Sequence, residues 1–321
     1  MTRFLVNRLL QAIVVLAVMS FVIYGLIGLM PGDPIDIMIS SNPELTPADG
    51  ERLKALYGLD QPILRRYLNW LSAALEGDWG YSRIHAVPVM EVLLPRLGNT
   101  LWLLGGALVL ALAIALPVGV YAAVRPYTPL DTAVNLVCFG GISVPPFWLA
   151  LMLMMLFAVS LGWLPAGGMR TVGGGGLADR AQFLVLPIMT LTLVSVGGYT
   201  RYVRAAMMEQ LRHDYVRTAR AKGVRDHTVI WGHALRNALI PVVTIVALDF
   251  GTLFNGALIT ETMFSYLGMG KLIYDSILGN DFNVALVGLL FATLTTLVGN
   301  FLADVGYAAL DPRISFGEAR V

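Results

Sequence analysis

RYVRAAMMEQLRHDYVRTARAKGVRDHTVIWGHALRNALIP, residues 201–241, is a basic stretch in an otherwise apolar chain. Eight of the 22 Lys and Arg residues of the chain fall within it, against three acidic residues. Short loops that are rich in Lys and Arg remain on the cytoplasmic side of a membrane. The charge therefore predicts that this stretch is a cytoplasmic loop between membrane-spanning segments.

The order of residues within this loop predicts a helix, a turn and a second helix. Residues 215–222 are good helix formers, and Gly223 can adopt the left-handed conformation that ends a helix. Asp226 can cap a second helix that runs to residue 237, and Pro241 then opens the next membrane span. The alternative is a basic loop that only sets topology or contacts anionic lipid.

The composition is that of an integral membrane protein. Hydrophobic residues make up 57% of the chain and charged residues 13%, whereas soluble domains carry about 25% charged residues. The net charge of +1 indicates no class of partner, because the positive charge is concentrated in one loop. Cys138 is the single cysteine, so an intramolecular disulfide is excluded.

Uncharged runs near the ~20 residues that cross a bilayer predict six transmembrane helices. Pro145 and Pro146 should kink or break the third of them, and Pro187 should lie near the start of the fourth. The predicted spans are residues 9–30, 101–124, 133–161, 182–200, 238–260 and 282–303.

The distribution of basic residues predicts that both termini are cytoplasmic. With the N-terminus inside, the segments 125–132, 201–237 and the tail from residue 311 are also inside. The segments 31–96, 162–181 and 261–281 are then outside, and residues 162–176 form a glycine-rich outer loop.

The first outer segment has the pattern of a small helical unit. Thr46, Pro47 and Asp49 form a helix-start signature, and the helix should run over residues 51–57 until Gly58. Residues 62–75 carry an apolar stripe at helical spacing, which predicts a second, amphipathic helix. This helix either covers the membrane spans or receives a partner, and the first alternative is the default for such stripes.

The sequence holds none of the residue patterns of a catalytic or metal site. Its four His residues lack metal-binding spacing, and Gly-x-Ser-x-Gly is absent. Residues 265–272, SYLGMGKL, lack the first glycine and the terminal hydroxyl of a phosphate-binding loop. We therefore expect a transport subunit, not an enzyme, with no catalytic residue, metal site or bound cofactor of its own.

The loop motifs resemble those of a known family. DYVRTARAKGV followed by HALRNALIP is similar to the coupling loop of ABC importer permeases, in detail the dipeptide, oligopeptide and nickel permease family, B-type subunit. The resemblance extends over nearly the whole chain, from LLQAIVVL and MPGDP near the start to ETMFSYLGMG and ALDPRI near the end.

Two positions depart from the family pattern. Arg217-Thr218-Ala219 stands where the wider superfamily has Glu-Ala-Ala, whereas Gly223 keeps the seventh place of the motif. Leu267 stands where the family usually has Pro before Gly268, which affects the local turn.

The resemblance implies a permease that imports di- or oligopeptides by alternating access, driven by ATP and Mg on separate subunits. It implies two ATP-binding subunits, a second homologous permease, an extracytoplasmic substrate-binding protein and no nucleic acid, in the plasma membrane of a prokaryote. The residues that it implies for coupling to the ATPase are Tyr215, Arg217, Thr218, Ala219, Arg220, Lys222, Gly223 and Asp226.

The implied organisation is an all-α integral membrane protein in three parts. Residues 1–30 form the first transmembrane helix and residues 31–96 an extracytoplasmic helical segment. Residues 97–321 form a five-helix permease core, with the coupling helix-turn-helix in the cytoplasmic loop 201–240.

Asp249 lies in the middle of the fifth predicted span, where a charge must face the bundle interior, a polar partner or water. Helical spacing puts Thr252 and Glu261 near the same face, flanked by Asn255. Asp249, Thr252, Asn255 and Glu261 either line the substrate pathway or, in the case of Asp249, pin this helix to a neighbour through a hydrogen bond.

Other functions remain open at this point. Nickel complexes, glutathione or another small solute suit the same fold as well as peptides do. A proton-coupled secondary transporter would carry several intramembrane acids, whereas only Asp249 lies well inside a span, with Asp304 near the end of another.

Overall fold

All regular elements in the described part of the chain are helices. The computed structural model describes residues 2–29 and 61–310. The only β interaction found among these residues is an isolated bridge between Tyr81 and Pro88. The prediction of an all-α protein is therefore confirmed.

Ten α-helices follow one another along these residues. They are α1 (Thr2–Ile27), α2 (Ile63–Leu75), α3 (Val89–Val124), α4 (Pro129–Ser143), α5 (Pro146–Leu153), α6 (Leu177–Gln210), α7 (Asp214–Ala221), α8 (Leu235–Met263), α9 (Met269–Leu278) and α10 (Phe282–Leu310). A π-helical segment, Met154–Ser160, extends α5, and a second, Thr228–Ala234, leads into α8.

The described helices include five that are long and apolar enough to cross a membrane, or six when a bent pair counts as one span. The bent pair is α4 with α5 and its π-helical extension, and its two halves meet at 101°. Pro145 and Pro146 lie at the bend. They end α4 there because neither has the backbone N–H that would continue the helix. The six predicted spans and the predicted break in the third are confirmed.

Several helices extend beyond the predicted limits of their spans. α3 begins at Val89 and crosses the predicted boundary at residues 96–97, and α6 continues to Gln210. Pro187 accordingly lies inside α6. The difference arises because a search for uncharged runs detects only the part of a helix within the hydrocarbon layer. These helices continue beyond that layer.

Pro241 does not open the fifth span, as the sequence predicted, but lies inside α8. The chain is helical without interruption from Asp226 to Met263. An interior proline costs about 3 kcal/mol because it removes a hydrogen bond and crowds the preceding turn. Burial of the neighbouring Ala238 and Val242 offsets this cost.

The predicted amphipathic helix at residues 62–75 is confirmed as α2. The buried Tyr67 attaches it to α1, because its hydroxyl lies 2.7 Å from the Ser20 hydroxyl. Trp70 continues the aromatic contacts toward Trp79. α2 thus packs on the chain's own spans, and the helix predicted over residues 51–57 lies outside the described residues.

α6 is the central helix and packs against α3 and α4. At Gly197 a Cβ would lie 2.7 Å from the carbonyl oxygen of Cys138 on α4, so only glycine permits this approach. At one end of the bundle lie residues 125–128 and 201–237, which we call the basic end. α9 and the loop before it lie at the opposite end.

Candidate functional site

The short helix α7 is held on the bundle through its apolar side. Val216 is completely buried, and Ala219 is half-buried beside it. Both belong to an apolar cluster that includes Val203 of α6 and Val229 of the next helical segment. Because this cluster joins the end of α6 to the start of the helix that follows α7, the three segments pack as one unit.

The opposite side of α7 is exposed and basic. The Arg217 side chain is 80% exposed, and the Thr218 hydroxyl turns back to the Asp214 carbonyl at 2.8 Å. Tyr215 stacks on His213, with its hydroxyl 2.9 Å from the Gln210 amide oxygen. The predicted coupling residues that share this exposed surface are Tyr215, Arg217, Thr218, Arg220, Lys222, Gly223 and Asp226, whereas Ala219 faces the cluster.

Gly223 ends α7 in the manner predicted. Its φ is +76°, in the left-handed region that glycine adopts without strain. The Val224 N–H donates to the Ala219 carbonyl at 3.2 Å, and the Gly223 N–H donates to the Arg220 carbonyl at 2.9 Å. This pair of bonds is a Schellman motif, which satisfies carbonyls that a helix end leaves unpaired.

The second helix of the coupling segment begins at Asp226, but Asp226 does not cap it as predicted. The Arg225 carbonyl accepts from the Val229 N–H at 3.1 Å, which puts Arg225 in the cap position. The Asp226 carboxylate instead accepts from the Arg220 guanidinium at 3.1 Å. This charge pair spans the turn. The capping pattern in the sequence did not show that Arg220 would lie close enough to Asp226 to bind its carboxylate.

A buried ion pair attaches the basic end to the rest of the bundle, and sequence reasoning did not identify it. The Arg204 guanidinium of α6 donates two parallel hydrogen bonds to the Asp131 carboxylate of α4, at 2.6 and 2.7 Å. The Tyr127 backbone N–H and the Asn135 amide also donate to this carboxylate. Thr128, Pro129 and Asp131 form a helix-start signature in the sequence, but the pairing with Arg204 depends on the tertiary fold.

Of the four predicted pathway residues, the structure describes the side chain of Glu261 alone. Asp249, Thr252 and Asn255 lie within α8, but their side chains are outside the described part of the chain. Their role stays a prediction.

Glu261 does not have the pathway-lining position predicted for it, because its side chain is completely buried. Its carboxylate accepts from the Thr100 hydroxyl of α3 at 2.5 Å and from the Lys271 backbone N–H at 2.9 Å. Glu261 thus binds the first turn of α9 and ties it to α3. Helical spacing placed it near the Asp249 face, but it lies in the last turn of α8, where α9 folds back over it.

Tyr266 fixes the connection between α8 and α9 against α3. Its hydroxyl donates to the Asn99 carbonyl at 3.1 Å, and the Asn99 amide donates to the Leu267 carbonyl at 2.8 Å. Burial raises the pKa of the Tyr266 phenol to about 12. Leu267 therefore occupies an ordered turn in the place where the family pattern has proline.

Among the side chains that the structure describes, no group of three or more potential metal ligands comes together. The basic end therefore presents an exposed, positively charged surface on helices that share one apolar cluster.

Comparison with known proteins agrees with this architecture over the full chain. Residues 115–316 match the model of the binding-protein-dependent transport system inner membrane component, and residues 1–103 match the corresponding N-terminal model. The chain belongs to this permease family. It is a membrane-spanning subunit of an ABC importer.

Individual relatives of this permease align from end to end. The oligopeptide transport system permease protein AppB of Bacillus subtilis is 37% identical over 98% of this chain and all of its own length. A protein named as a peptide permease in Brucella suis is 38% identical over 98% of this chain and 99% of its own. The glutathione transport system permease protein GsiC of Escherichia coli K12 is 35% identical over 98% and 100%.

Proposed function

We propose that this permease forms one half of the translocation pathway of an importer for short peptides. The proposal is supported by the relatives AppB and the Brucella suis protein, whose names specify oligopeptide or peptide transport. GsiC is named as the permease protein of a glutathione transport system, and glutathione is itself a tripeptide. Short peptides are the chemical class that these names share.

The observation that carries the proposal is the packing of the basic end. α7, the turn at Gly223 and the start of the next helix are held together by a single apolar cluster and present an exposed basic surface. A rigid element transmits displacement, whereas a flexible loop would absorb it. We infer that this surface, from Tyr215 to Asp226, docks in a cleft of an ATP-binding subunit.

Movement of the docked surface would then reach the membrane spans through two connections. α8 continues directly from the second coupling helix, and α6 leads directly into α7. The Asp131–Arg204 pair joins α6 to α4, which is half of the broken span. Closure of the ATP-binding subunits would thus shift α4, α6 and α8 together and alternate the access of the pathway.

The same proposal fixes the orientation and the partners. The basic end is cytoplasmic by the positive-inside rule, as are both termini, and α2 and α9 are then extracytoplasmic. The complete importer holds two ATP-binding subunits, a second homologous permease and an external substrate-binding protein, in a prokaryotic plasma membrane. ATP and Mg bind to the ATP-binding subunits.

Reconstitution of the complete complex in proteoliposomes tests this function. We expect ATP-dependent uptake of radiolabelled trialanine in the presence of the binding protein. Uptake of glutathione but of no other short peptide, or uptake of a nickel complex, would reassign the substrate. Uptake driven by a proton gradient without ATP would overturn the importer mechanism. Of the two acids considered for a proton relay, Asp304 forms an ion pair with Arg8 at 3.1 Å.

A further inference from the structure

A cavity of about 680 Å³ lies between α4 and α6, and the coupling mechanism makes no use of it. It runs from the level of the α4–α5 break toward the basic end. The residues of its wall that matter here are Phe139 and Ile142 on α4 and Arg201 and Arg204 on α6.

The upper end of this cavity is formed by the broken end of α4. The carbonyls of Gly141 and Ile142 have no helical partner, because Pro145 and Pro146 stand where the donors would be and proline has no N–H. The same end carries the partial negative charge of a helix C-terminus. Ile142 is exposed and lines the cavity, which puts this end of α4 at the cavity wall.

The break lies near the middle of the membrane. A Cβ added to Gly141 would lie 3.5 Å from the Leu193 carbonyl oxygen, so the two residues are at the same level. Leu193 is halfway along α6. Within the hydrocarbon layer, backbone without hydrogen-bond partners is tolerated only when it is buried in protein or lines an aqueous cavity. Free carbonyls at this depth therefore require a polar occupant or a covering partner.

The lower end of the cavity carries positive charge. Two of the described lining residues are cationic, and the Arg204 guanidinium is already bound to Asp131. The Arg201 guanidinium lies 4.2 Å from the centre of the Phe139 ring and is exposed to the cavity. An aromatic ring holds the side chain of Arg201 in place but leaves its N–H groups available to an anion.

The two ends are separated by a distance that suits a short peptide. Arg201 is eight residues from Leu193, or about 12 Å along the helix, and its side chain leans back toward the break because helical side chains tilt toward the N-terminus. Phe139, where the guanidinium lies, is about 6 Å along α4 from Ser143. Extended peptides span at most ~3.6 Å per residue, so two or three residues bridge this interval.

We propose that the cavity binds a peptide by its two charged ends. The ammonium group binds the carbonyls of Gly141 and Ile142, and the carboxylate binds Arg201. The site thus selects zwitterionic di- and tripeptides during their passage, and it rests on the proposed function of peptide import. Weak contacts at each end hold the peptide in place and still permit its release, as a transport pathway requires.

The first test replaces Arg201 in the complete reconstituted importer. We expect Arg201→Gln to reduce ATP-dependent uptake of trialanine about tenfold, the effect of losing one charge-assisted hydrogen bond, and Arg201→Lys to restore part of it. Uptake of trialanine amide should change little in Arg201→Gln relative to the wild type, because this peptide has no carboxylate. Each variant is compared with the wild type on the same peptide, so selection by the binding protein cancels.

Arg125→Gln is the matched control. Arg125 is also at the basic end and also lies over an aromatic ring, that of Tyr121 at 5.6 Å, but it does not line the cavity. We expect its uptake of both peptides to equal that of the wild type. An equal loss for trialanine and its amide in Arg201→Gln would overturn the carboxylate site.

The second test addresses the carbonyl end. Pro145→Ala combined with Pro146→Ala supplies two backbone N–H groups to the carbonyls of Gly141 and Ile142, so α4 can continue. We expect this variant to take up less trialanine than the wild type and to show no preference for trialanine over N-acetyl trialanine. An unchanged preference would overturn the ammonium site.

Copurification of the ATP-binding subunits and the second permease separates the remaining outcomes. If Arg201→Gln fails to assemble, the cavity is filled by the second permease, and the substrate site is excluded. If the wild type takes up no peptide at all, the proposed substrate class fails. If the wild type imports peptides and Arg201→Gln equals it, the function stands and only the site fails.

Discussion

Arg204 and Asp131 form a bidentate ion pair in which the carboxylate side chain is 3% exposed and the guanidinium side chain 19% exposed. Two hydrogen bonds of 2.6 and 2.7 Å join the helix that leads into the coupling segment to the first half of the broken span. A planar guanidinium fixes both distance and orientation, whereas a single contact would fix only distance. The pair therefore fixes the position and orientation of α6 relative to α4 at the basic end.

Removal of the carboxylate should destabilise the protein and uncouple transport. We expect Asp131→Ala to lower the free energy of unfolding in detergent by about 3 kcal/mol, because it leaves the Arg204 charge buried without its partner. Asp214→Ala is the control, since the Asp214 side chain is 94% exposed and its contact with Arg217 is long, at 3.6 Å. Equal stability of the two variants would contradict the role of the pair.

Gly223 should accept only residues that tolerate a positive φ. Gly223→Val adopts φ +76° at a cost of about 1–2 kcal/mol or more, so we expect the turn to open and ATP-dependent uptake to fall at least tenfold while the protein remains in the membrane. Gly223→Asn, which tolerates the left-handed region, should keep most of the uptake. Full uptake by Gly223→Val would exclude a role of this turn in coupling.

Arg220 has both a partner within the chain and a surface open to another subunit. Arg220→Glu should weaken copurification of the ATP-binding subunit, but the new carboxylate also faces Asp226 across the turn. Combining it with Asp226→Arg restores an internal pair of opposite charges with the polarity reversed. We expect the double variant to remain defective in a pull-down. Recovery would assign Arg220 to the turn alone.

Asp249→Asn tests the two roles that the sequence leaves open for this residue. The substitution keeps the shape and hydrogen bonding of the side chain but removes its charge. Loss of uptake with normal assembly and normal basal ATPase activity would support a pathway role. Unchanged uptake of both cationic and neutral peptides would show that Asp249 is structural.

Much of the fold is predictable because the bilayer imposes local rules on the sequence. Hydrophobic length fixes the number of spans, Pro145 and Pro146 fix the break, and Gly223 fixes the end of α7. The exact limits of α3 and α6 were not predictable from hydropathy, which ceases to be informative where a helix leaves the hydrocarbon layer. Pro241 was misleading because burial of neighbouring side chains outweighs the cost of an interior proline.

The site is less predictable than the fold, because its polar contacts join residues that are far apart in sequence. Arg204 and Asp131 are 73 positions apart, and neither has a pattern that indicates the other. Glu261 was assigned to the Asp249 face by spacing along one helix, whereas its burial depends on how α9 returns to α8. Local chemistry thus predicts the break at Pro145 and the turn at Gly223, and it fails where another part of the chain selects the partner, as at Asp226 and Glu261.

The packing around Glu261 leads to a prediction about a glycine beside it. A Cβ at Gly268 would lie 2.0 Å from the Glu261 carboxyl carbon, so Gly268→Ala must displace that carboxylate from the Lys271 N–H and the Thr100 hydroxyl. Burial of unpaired donors costs about 1–3 kcal/mol. We expect Gly268→Ala and Glu261→Ala to reduce the free energy of unfolding by similar amounts.

The combination of these two substitutions distinguishes a shared cause from two separate ones. If both act by removing the carboxylate from the first turn of α9, Gly268→Ala should cost much less in a Glu261→Ala background than in the wild type. Gly279→Ala serves as the comparison, because a Cβ there would meet the flexible end of the Ile84 side chain and not this carboxylate. Additive losses at Gly268 and Glu261 would show that the two residues act independently and that Glu261 is not what anchors α9 to α3.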